Sequence, residues 1–216
     1  MSYQRKDAFY ARAKAAGYRS RAAYKLLELA RRYRLLERGD HVVDLGAWPG
    51  GWLQVAAQLV GPMGVVVGVD VQRIEPLAAP VVVITGDARD AAVQEQIRAR
   101  CGGRIDVVLS DLAPKLSGVR DRDTAQAAAL SESALAASHT LLAPGGRALV
   151  KLFTGPDADA LADAARRRFA RVKLTRPDAT RKGSAELYLV CLEYRAADHP
   201  DPAFPRLRRR APRAAE

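Results

Sequence analysis

Residues 41–60 read HVVDLGAWPGGWLQVAAQLV, and the order of features in them decides the fold. His41 to Leu45 is a short run of β-branched and apolar residues with one charge, Asp44, the pattern of a buried strand. Three glycines and a proline then interrupt the chain between Gly46 and Gly51, where neither a strand nor a helix can continue. From Gly51 to Val60 the apolar residues recur at helical spacing, until Gly61-Pro62 stops them. A strand, a glycine-rich turn and a helix in that order open a parallel α/β sheet. The turn is the place where backbone can come close to a ligand.

The alternation continues along the chain. Val65–Asp70 and Val81–Thr85 read as strands, Ala91–Arg100 as a helix and Ile105–Ser110 as a strand. Thr124–Leu142 is a long alanine-rich helix, followed by a strand at Ala148–Phe153 and a helix at Asp157–Arg168. Val172–Leu174 and Glu186–Tyr194 read as the final strands. This pattern predicts a mostly parallel sheet covered by helices on both faces. Ligands of such sheets bind beyond the carboxyl ends of the strands, so the strand tips carry the interest: Gly46 to Gly51, Asp70, Asp87, Asp111 and Lys151.

Gly46, Gly50 and Gly51 do not have the G-x-G-x-x-G spacing of a dinucleotide site, which argues against a nicotinamide oxidoreductase. Asp70 is placed to accept from both hydroxyls of a ribose, and Asp87 to accept from an adenine amino group. Each alone is an ordinary turn former or helix cap; together with the loop they describe a nucleoside cofactor lacking a pyrophosphate. Lys151, inside the apolar run ALVKLF, is costly unless paired or functional, the alternative being an edge lysine that snorkels outward. Lys25 within SRAAYKLLEL and Glu186 opening ELYLV also sit in apolar company.

The 216 residues suit one main domain, and a hydrophobic content of 49% with 27% charged residues fits an ordinary globular protein. No apolar run approaches the roughly 20 residues that span a bilayer, and the charged start MSYQRKDAFYARAK does not resemble a secretory signal. With two cysteines, Cys101 and Cys191, and three histidines, neither a disulfide scaffold nor a metal centre is expected; the expected setting is cytoplasmic and reducing. The net charge of +11 points to a polyanionic partner. Its distribution sharpens this, because residues 1–34 hold ten Lys/Arg against only Asp7 and Glu28. Tyr3, Phe9, Tyr10, Tyr18, Tyr24 and Tyr33 are interleaved there, and rings so placed either stack on bases or pack on the core of a solvated basic helix. The organisation expected is a basic helical segment at 1–36, an enzyme domain at 37–195 and a Pro/Arg-rich disordered tail at 196–216.

Seven stretches, SRAAYKL (20–26), DLGAWPGGW (44–52), GVD (68–70), GDARD (86–90), LSDLAP (109–114), LVKLF (149–153) and SAELYLV (184–190), occur in an order that resembles the FtsJ/RrmJ (RlmE) family of S-adenosyl-L-methionine-dependent ribose 2′-O-methyltransferases. The resemblance implies a Rossmann-like class I methyltransferase fold with a seven-stranded sheet. It also implies a catalytic tetrad at Lys25, Asp111, Lys151 and Glu186, and cofactor contacts at Gly46, Gly50, Trp52, Asp70, Asp87 and Asp111. Its implied substrate is a uridine of 23S (large-subunit) ribosomal RNA on the 50S particle, with the enzyme acting as a monomer without metal. Arg5, Lys6, Arg12, Lys14, Arg19 and Arg21 are then the candidate RNA contacts. Trp48 departs from the small residue usual in the family loop. Lys151 is expected at the 2′-hydroxyl, as base or as electrostatic stabiliser: Lys25 and burial would lower its pKa, and Asp111 and Glu186 would raise it. The rival readings are a tRNA 2′-O-methyltransferase and a noncatalytic RNA-binding assembly factor.

Overall fold

The computed structural model describes residues 8–114, 117–181 and 183–196. Arg5, Lys6 and all of the expected tail at 196–216 except its first residue lie outside the described residues. In chain order the elements are α1 (Ala8–Ala15), α2 (Ala23–Tyr33), β1 (His41–Leu45), α3 (Gly51–Val60), β2 (Val65–Asp70), β3 (Val81–Thr85), α4 (Ala91–Arg100), β4 (Val107–Ser110), α5 (Arg120–Leu141), β5 (Arg147–Phe153), α6 (Pro156–Arg166), β6 (Phe169–Thr175) and β7 (Glu186–Tyr194).

The strands form one seven-stranded sheet in the order β3-β2-β1-β4-β5-β7-β6. β1 to β5 pair in parallel, whereas β7 runs antiparallel to both β5 and β6. The order reverses between β1 and β4, and the crevice beyond their carboxyl ends is where such a sheet receives a ligand. Two apolar cores flank the sheet. One packs Val93, Ile97, Leu135, Leu161 and Ala165 from α4, α5 and α6 onto Val43, Leu45, Val108 and Val150. The other packs Leu26, Leu29, Trp52, Leu53 and Val55 from α2 and α3 onto Val42, Val66, Leu109 and Tyr188. Successive residues of β1 thus serve opposite faces, as the period of two requires.

Several boundaries differ from the sequence expectation. α5 begins at Arg120 rather than Thr124: Asp121 and Asp123 fall in its first turn, and the Asp123 carboxylate accepts from Ser117 and Gly118 ahead of the helix. β6 extends over Phe169–Thr175 because it is an edge strand. Its exposed Arg171 alternates with half-buried Val172, so half of its length lacks the apolar signature of a buried strand. β4 is shorter than expected, beginning at Val107. α2 packs into the second core: its Leu26, Leu29 and Ala30, and Leu35 just beyond it, are fully or almost fully buried there.

Candidate active site

β7 is the strand that matters chemically. Because it runs antiparallel to β5, its first residues lie beside the last residues of β5: Tyr188 pairs with Lys151 and Glu186 with Phe153. The period of two puts Glu186 and Tyr188 on the face that Lys151 also uses. On that face α2 supplies Lys25, and β4 ends just before Asp111. Lys25 Nζ lies 2.5 Å from Glu186 Oε1, Lys151 Nζ lies 3.4 Å from Glu186 Oε2 and 3.1 Å from Asp111 Oδ1. The charges alternate along the line Lys25, Glu186, Lys151, Asp111. The Tyr188 hydroxyl sits among them, 2.8 Å from Asp111 Oδ1, 3.1 Å from Glu186 Oε1 and 3.4 Å from Lys25 Nζ. The backbone is pinned as well, since Ser131 Oγ of α5 donates to the Lys151 carbonyl at 2.8 Å.

Lys25, Lys151 and Glu186 are buried. Burial is the largest single influence on Lys151 and would favour the neutral amine, but the Asp111 and Glu186 carboxylates more than offset it and hold the pKa above the usual lysine value. Burial likewise opposes ionisation of Glu186; Lys151 and Lys25 outweigh it and keep that pKa below the usual value. Tyr188 is pushed well above an ordinary phenol, first by burial and then by the two carboxylates, so it serves as a hydroxyl donor. In the competition over Lys151 that sequence left open, the two carboxylates outweigh burial and favour the ammonium form.

Beside this network, beyond the tips of β1, β2, β3 and β4, lies a cavity of about 740 Å³ whose lining includes Gly46, Trp48, Asp70, Asp87, Asp111 and Leu130. Its size is that of a small-molecule or cofactor site. Asp70 accepts from the Gln72 backbone N–H through Oδ1 at 2.8 Å and from the Trp48 N–H through Oδ2 at 3.0 Å. Asp87 is engaged by the Arg89 guanidinium through both oxygens; those side-chain bonds, with the Arg89 backbone N–H, lower its pKa to about 2. A second cavity of about 20 Å³ adjoins it, lined by Ser20, Asp44, Gly46, Trp48, Trp52 and Asp111 among others. Asp44 is 0% exposed, and both carboxylate oxygens lack a hydrogen-bond partner among the described residues. Burial, then Asp111 and Asp70, push its pKa well above the usual carboxylate range. An unpartnered buried carboxylate on the wall of a small cavity has capacity to accept from a cationic donor.

A family model described as FtsJ-like methyltransferase matches residues 18–194. The chain belongs to the FtsJ-like methyltransferase family. Among its relatives, a protein of Methanothrix thermoacetophila named ribosomal RNA large subunit methyltransferase E is 48% identical over 190 residues, covering 88% of this chain and 73% of the relative. The protein of the same name from Syntrophobacter fumaroxidans is 44% identical over 196 residues, covering 90% and 99%. A crystal structure of a Plasmodium falciparum protein described as a ribosomal RNA methyltransferase superposes with a TM-score of 0.72 at 28% identity, covering 82% of this chain and 98% of that one. Fibrillarin of Aeropyrum pernix, solved with natively bound S-adenosyl-L-methionine, shares the fold at a TM-score of 0.52 and 18% identity, over 81% of this chain and 75% of that one. The seven-stranded, mostly parallel Rossmann-like architecture is thus that of a methyltransferase.

In this methyltransferase the remaining candidate residues fall in unequal places. Gly50 and Trp52 are not on the wall of the large cavity. Trp52 is buried, donates from its indole N–H to the Ala22 carbonyl at 2.8 Å and packs on Tyr188 with ring centroids 5.9 Å apart. The glycines of the loop admit the chain's own side chains. Gly50 has φ +108°, and a Cβ there would meet the Arg19 guanidinium at 3.0 Å; Gly46 has φ +79°, and a Cβ would lie 2.5 Å from Leu112. Arg19 itself, a candidate RNA contact, spends its donors on the carbonyls of Glu75 at 2.6 Å, Pro76 at 2.8 Å and Pro49 at 3.3 Å. Arg12 and Lys14 are exposed on α1 and Arg21 is half-buried ahead of α2. Arg12 stacks over the Tyr24 ring at 4.7 Å. Tyr24 also meets Phe9 and Tyr18, so these three rings pack together, while Tyr10 remains exposed.

Sequence reasoning does not single out two residues of the site. Tyr188 carries a signal, since it stands two residues after Glu186 in a strand and must share its face. Asp44 carries one too, as the only acidic residue within HVVDL. Among the described residues, no group of three or more His, Cys, Asp or Glu side chains is arranged to hold a metal ion.

Proposed function

We propose that this methyltransferase moves a methyl group from S-adenosyl-L-methionine to the ribose 2′-oxygen of a uridine in large-subunit ribosomal RNA. The observation that carries the reading is the buried Lys25–Glu186–Lys151–Asp111 line, set against a cofactor-sized cavity through the shared residue Asp111. The names of the relatives support the RNA substrate, and the basic residues of 1–34 supply charge for a phosphate backbone.

The residues present fit the cofactor. Asp70 at the tip of β2 suits the ribose hydroxyls. Asp87 suits the adenine side only by sharing its carboxylate with Arg89. The orphaned Asp44 carboxylate suits the ammonium of the amino-acid end, which would supply the donors it lacks. When bound, S-adenosyl-L-methionine supplies a methyl group already activated on a sulfonium, so the protein has chiefly to position and to handle one proton.

Lys151 keeps its proton in this network and acts as a fixed positive charge beside the 2′-oxygen as that oxygen loses its proton. Asp111 orients Lys151 through Oδ1 and, as the carboxylate of the line that also walls the cavity, takes the hydroxyl proton in this reading as the new C–O bond forms and the S–C bond breaks. Glu186 holds both lysines, and Lys151 and Lys25 together keep Glu186 ionised. The Tyr188 hydroxyl stands between the two carboxylates, its single proton shared between Asp111 at 2.8 Å and Glu186 at 3.1 Å. A noncatalytic RNA binder has no need of a lysine in a buried strand held by two carboxylates.

The test uses cofactor labelled in the methyl group with three acceptors: 50S particles lacking the modification, free ribosomal RNA and tRNA. Label in 50S particles or large-subunit RNA is expected. Label in tRNA alone would overturn the substrate, and label in none of them would overturn the enzyme.

A further inference from the structure

Trp48 is the part of the glycine loop that neither the fold nor the tetrad explains. It is 52% exposed, in a chain whose other tryptophan, Trp52, is buried in the core. Its backbone is not free to drift, because the Trp48 N–H is bonded to Asp70. It stands on the walls of both cavities. The large cavity has Asp70 and Asp87, the small one has Asp44, and three residues belong to both: Gly46, Trp48 and Asp111. These three form the seam.

On the reading of the site as an S-adenosyl-L-methionine pocket, the covalent structure of that ligand fixes what crosses the seam. Its nucleoside half fits the large cavity and its ammonium fits the seat at Asp44, and the sulfur is the atom joining the two halves. The reaction gives a second, independent constraint. The methyl group must face the 2′-oxygen beside Lys151, and Lys151 is bonded to Asp111, a seam residue. Both routes bring the sulfur to Gly46, Trp48 and Asp111. Gly46 offers no side chain and Asp111 is a carboxylate, which leaves Trp48 as the apolar wall.

Indole is the aromatic side chain that best attracts a cation on its face. The sulfur is cationic before methyl transfer and neutral afterwards. We propose that Trp48 is a charge-selective wall that favours the sulfonium of the substrate cofactor over the thioether of the product. Before transfer, the cation is held between the indole face and the Asp111 carboxylate. After transfer the attraction to both is gone, and the product is left with the contacts of its nucleoside and amino-acid halves alone.

The test is calorimetric binding of S-adenosylmethionine, S-adenosylhomocysteine and sinefungin to the wild type, Trp48→Leu and Trp48→Phe. Sinefungin carries an ammonium group on the carbon that replaces the sulfur. Leucine keeps apolar bulk but has no π face. Trp48→Leu is expected to weaken S-adenosylmethionine and sinefungin by about 3- to 30-fold and S-adenosylhomocysteine by less than about 2-fold, with Trp48→Phe in between. The ligand-induced change in tryptophan fluorescence is expected to shrink in Trp48→Leu, leaving only the contribution of Trp52 on the wall of the small cavity. Equal factors for the charged and neutral ligands, including no change for any, would overturn the proposal while leaving the cofactor reading intact. Failure of the wild type to bind any of the three would instead remove the cofactor reading itself.

Discussion

At the scale of single residues, Asp44 gives the sharpest expectation. A carboxylate whose folded pKa is raised subtracts stability as pH climbs from the ordinary carboxylate range through that raised value, because only the unfolded chain ionises freely. Asp44→Asn removes this charge in nearly the same volume. It is expected to make the ligand-free protein more stable at neutral pH by about 1 kcal/mol or more, measured as a denaturant midpoint. Cofactor affinity should move the other way: an ammonium prefers the ionised carboxylate, so wild-type affinity strengthens as pH rises through the same window. In Asp44→Asn the affinity should be weaker by about tenfold and lose that pH dependence. A variant binding as tightly as wild type would remove Asp44 from the site. The tetrad is legible in the sequence at this scale because Lys25, Lys151 and Glu186 are charges in apolar surroundings. Tyr188 is less so, since a tyrosine in a strand looks like any core aromatic until its hydroxyl is seen between two carboxylates.

At the scale of elements, the antiparallel placement of β7 delivers Glu186 to the carboxyl ends of β4 and β5, where a parallel strand would present its last residues instead. Sequence shows that β7 exists and where it begins, since Glu186–Tyr194 is a long apolar run. It does not show the direction, which rests on pairing between residues far apart in the chain. The turn joining α1 and α2 is harder still to read. Arg19 has the look of a phosphate contact, yet its guanidinium bridges the glycine loop at Pro49 and the β2–β3 connection at Glu75 and Pro76. A guanidinium can serve several carbonyls at fixed angles, and an ammonium cannot. Arg19→Lys is therefore expected to destabilise the fold by about 1–2 kcal/mol and to weaken cofactor binding by loosening the loop that carries Trp48. Denaturant midpoints and calorimetry on one preparation check both effects. Unchanged values in the two measurements would show the bridge to be incidental.

At the scale of the whole molecule, the charge divides from the chemistry. The network of Lys25, Glu186, Lys151 and Asp111 balances two cations against two anions, whereas residues 1–34 hold most of the positive excess. RNA affinity should then depend on the N-terminal surface and on salt. Reversing Arg12 and Lys14, both exposed on α1, is expected to lower the slope of log affinity against log salt by about 0.7 for each phosphate that the protein no longer neutralises. An unchanged slope would place the RNA elsewhere. The central claim, that Lys151 and its partners direct the methyl group to a ribose 2′-oxygen, is tested most directly by alkaline digestion of ribosomal RNA labelled by the enzyme. A methylated 2′-oxygen cannot attack the neighbouring phosphate, so the label should be recovered in an alkali-resistant dinucleotide. With Lys151→Ala the label should fall by about a hundredfold or more while cofactor affinity stays near the wild-type value. Label released as alkali-sensitive mononucleotides, or near-normal labelling by Lys151→Ala, would contradict the account.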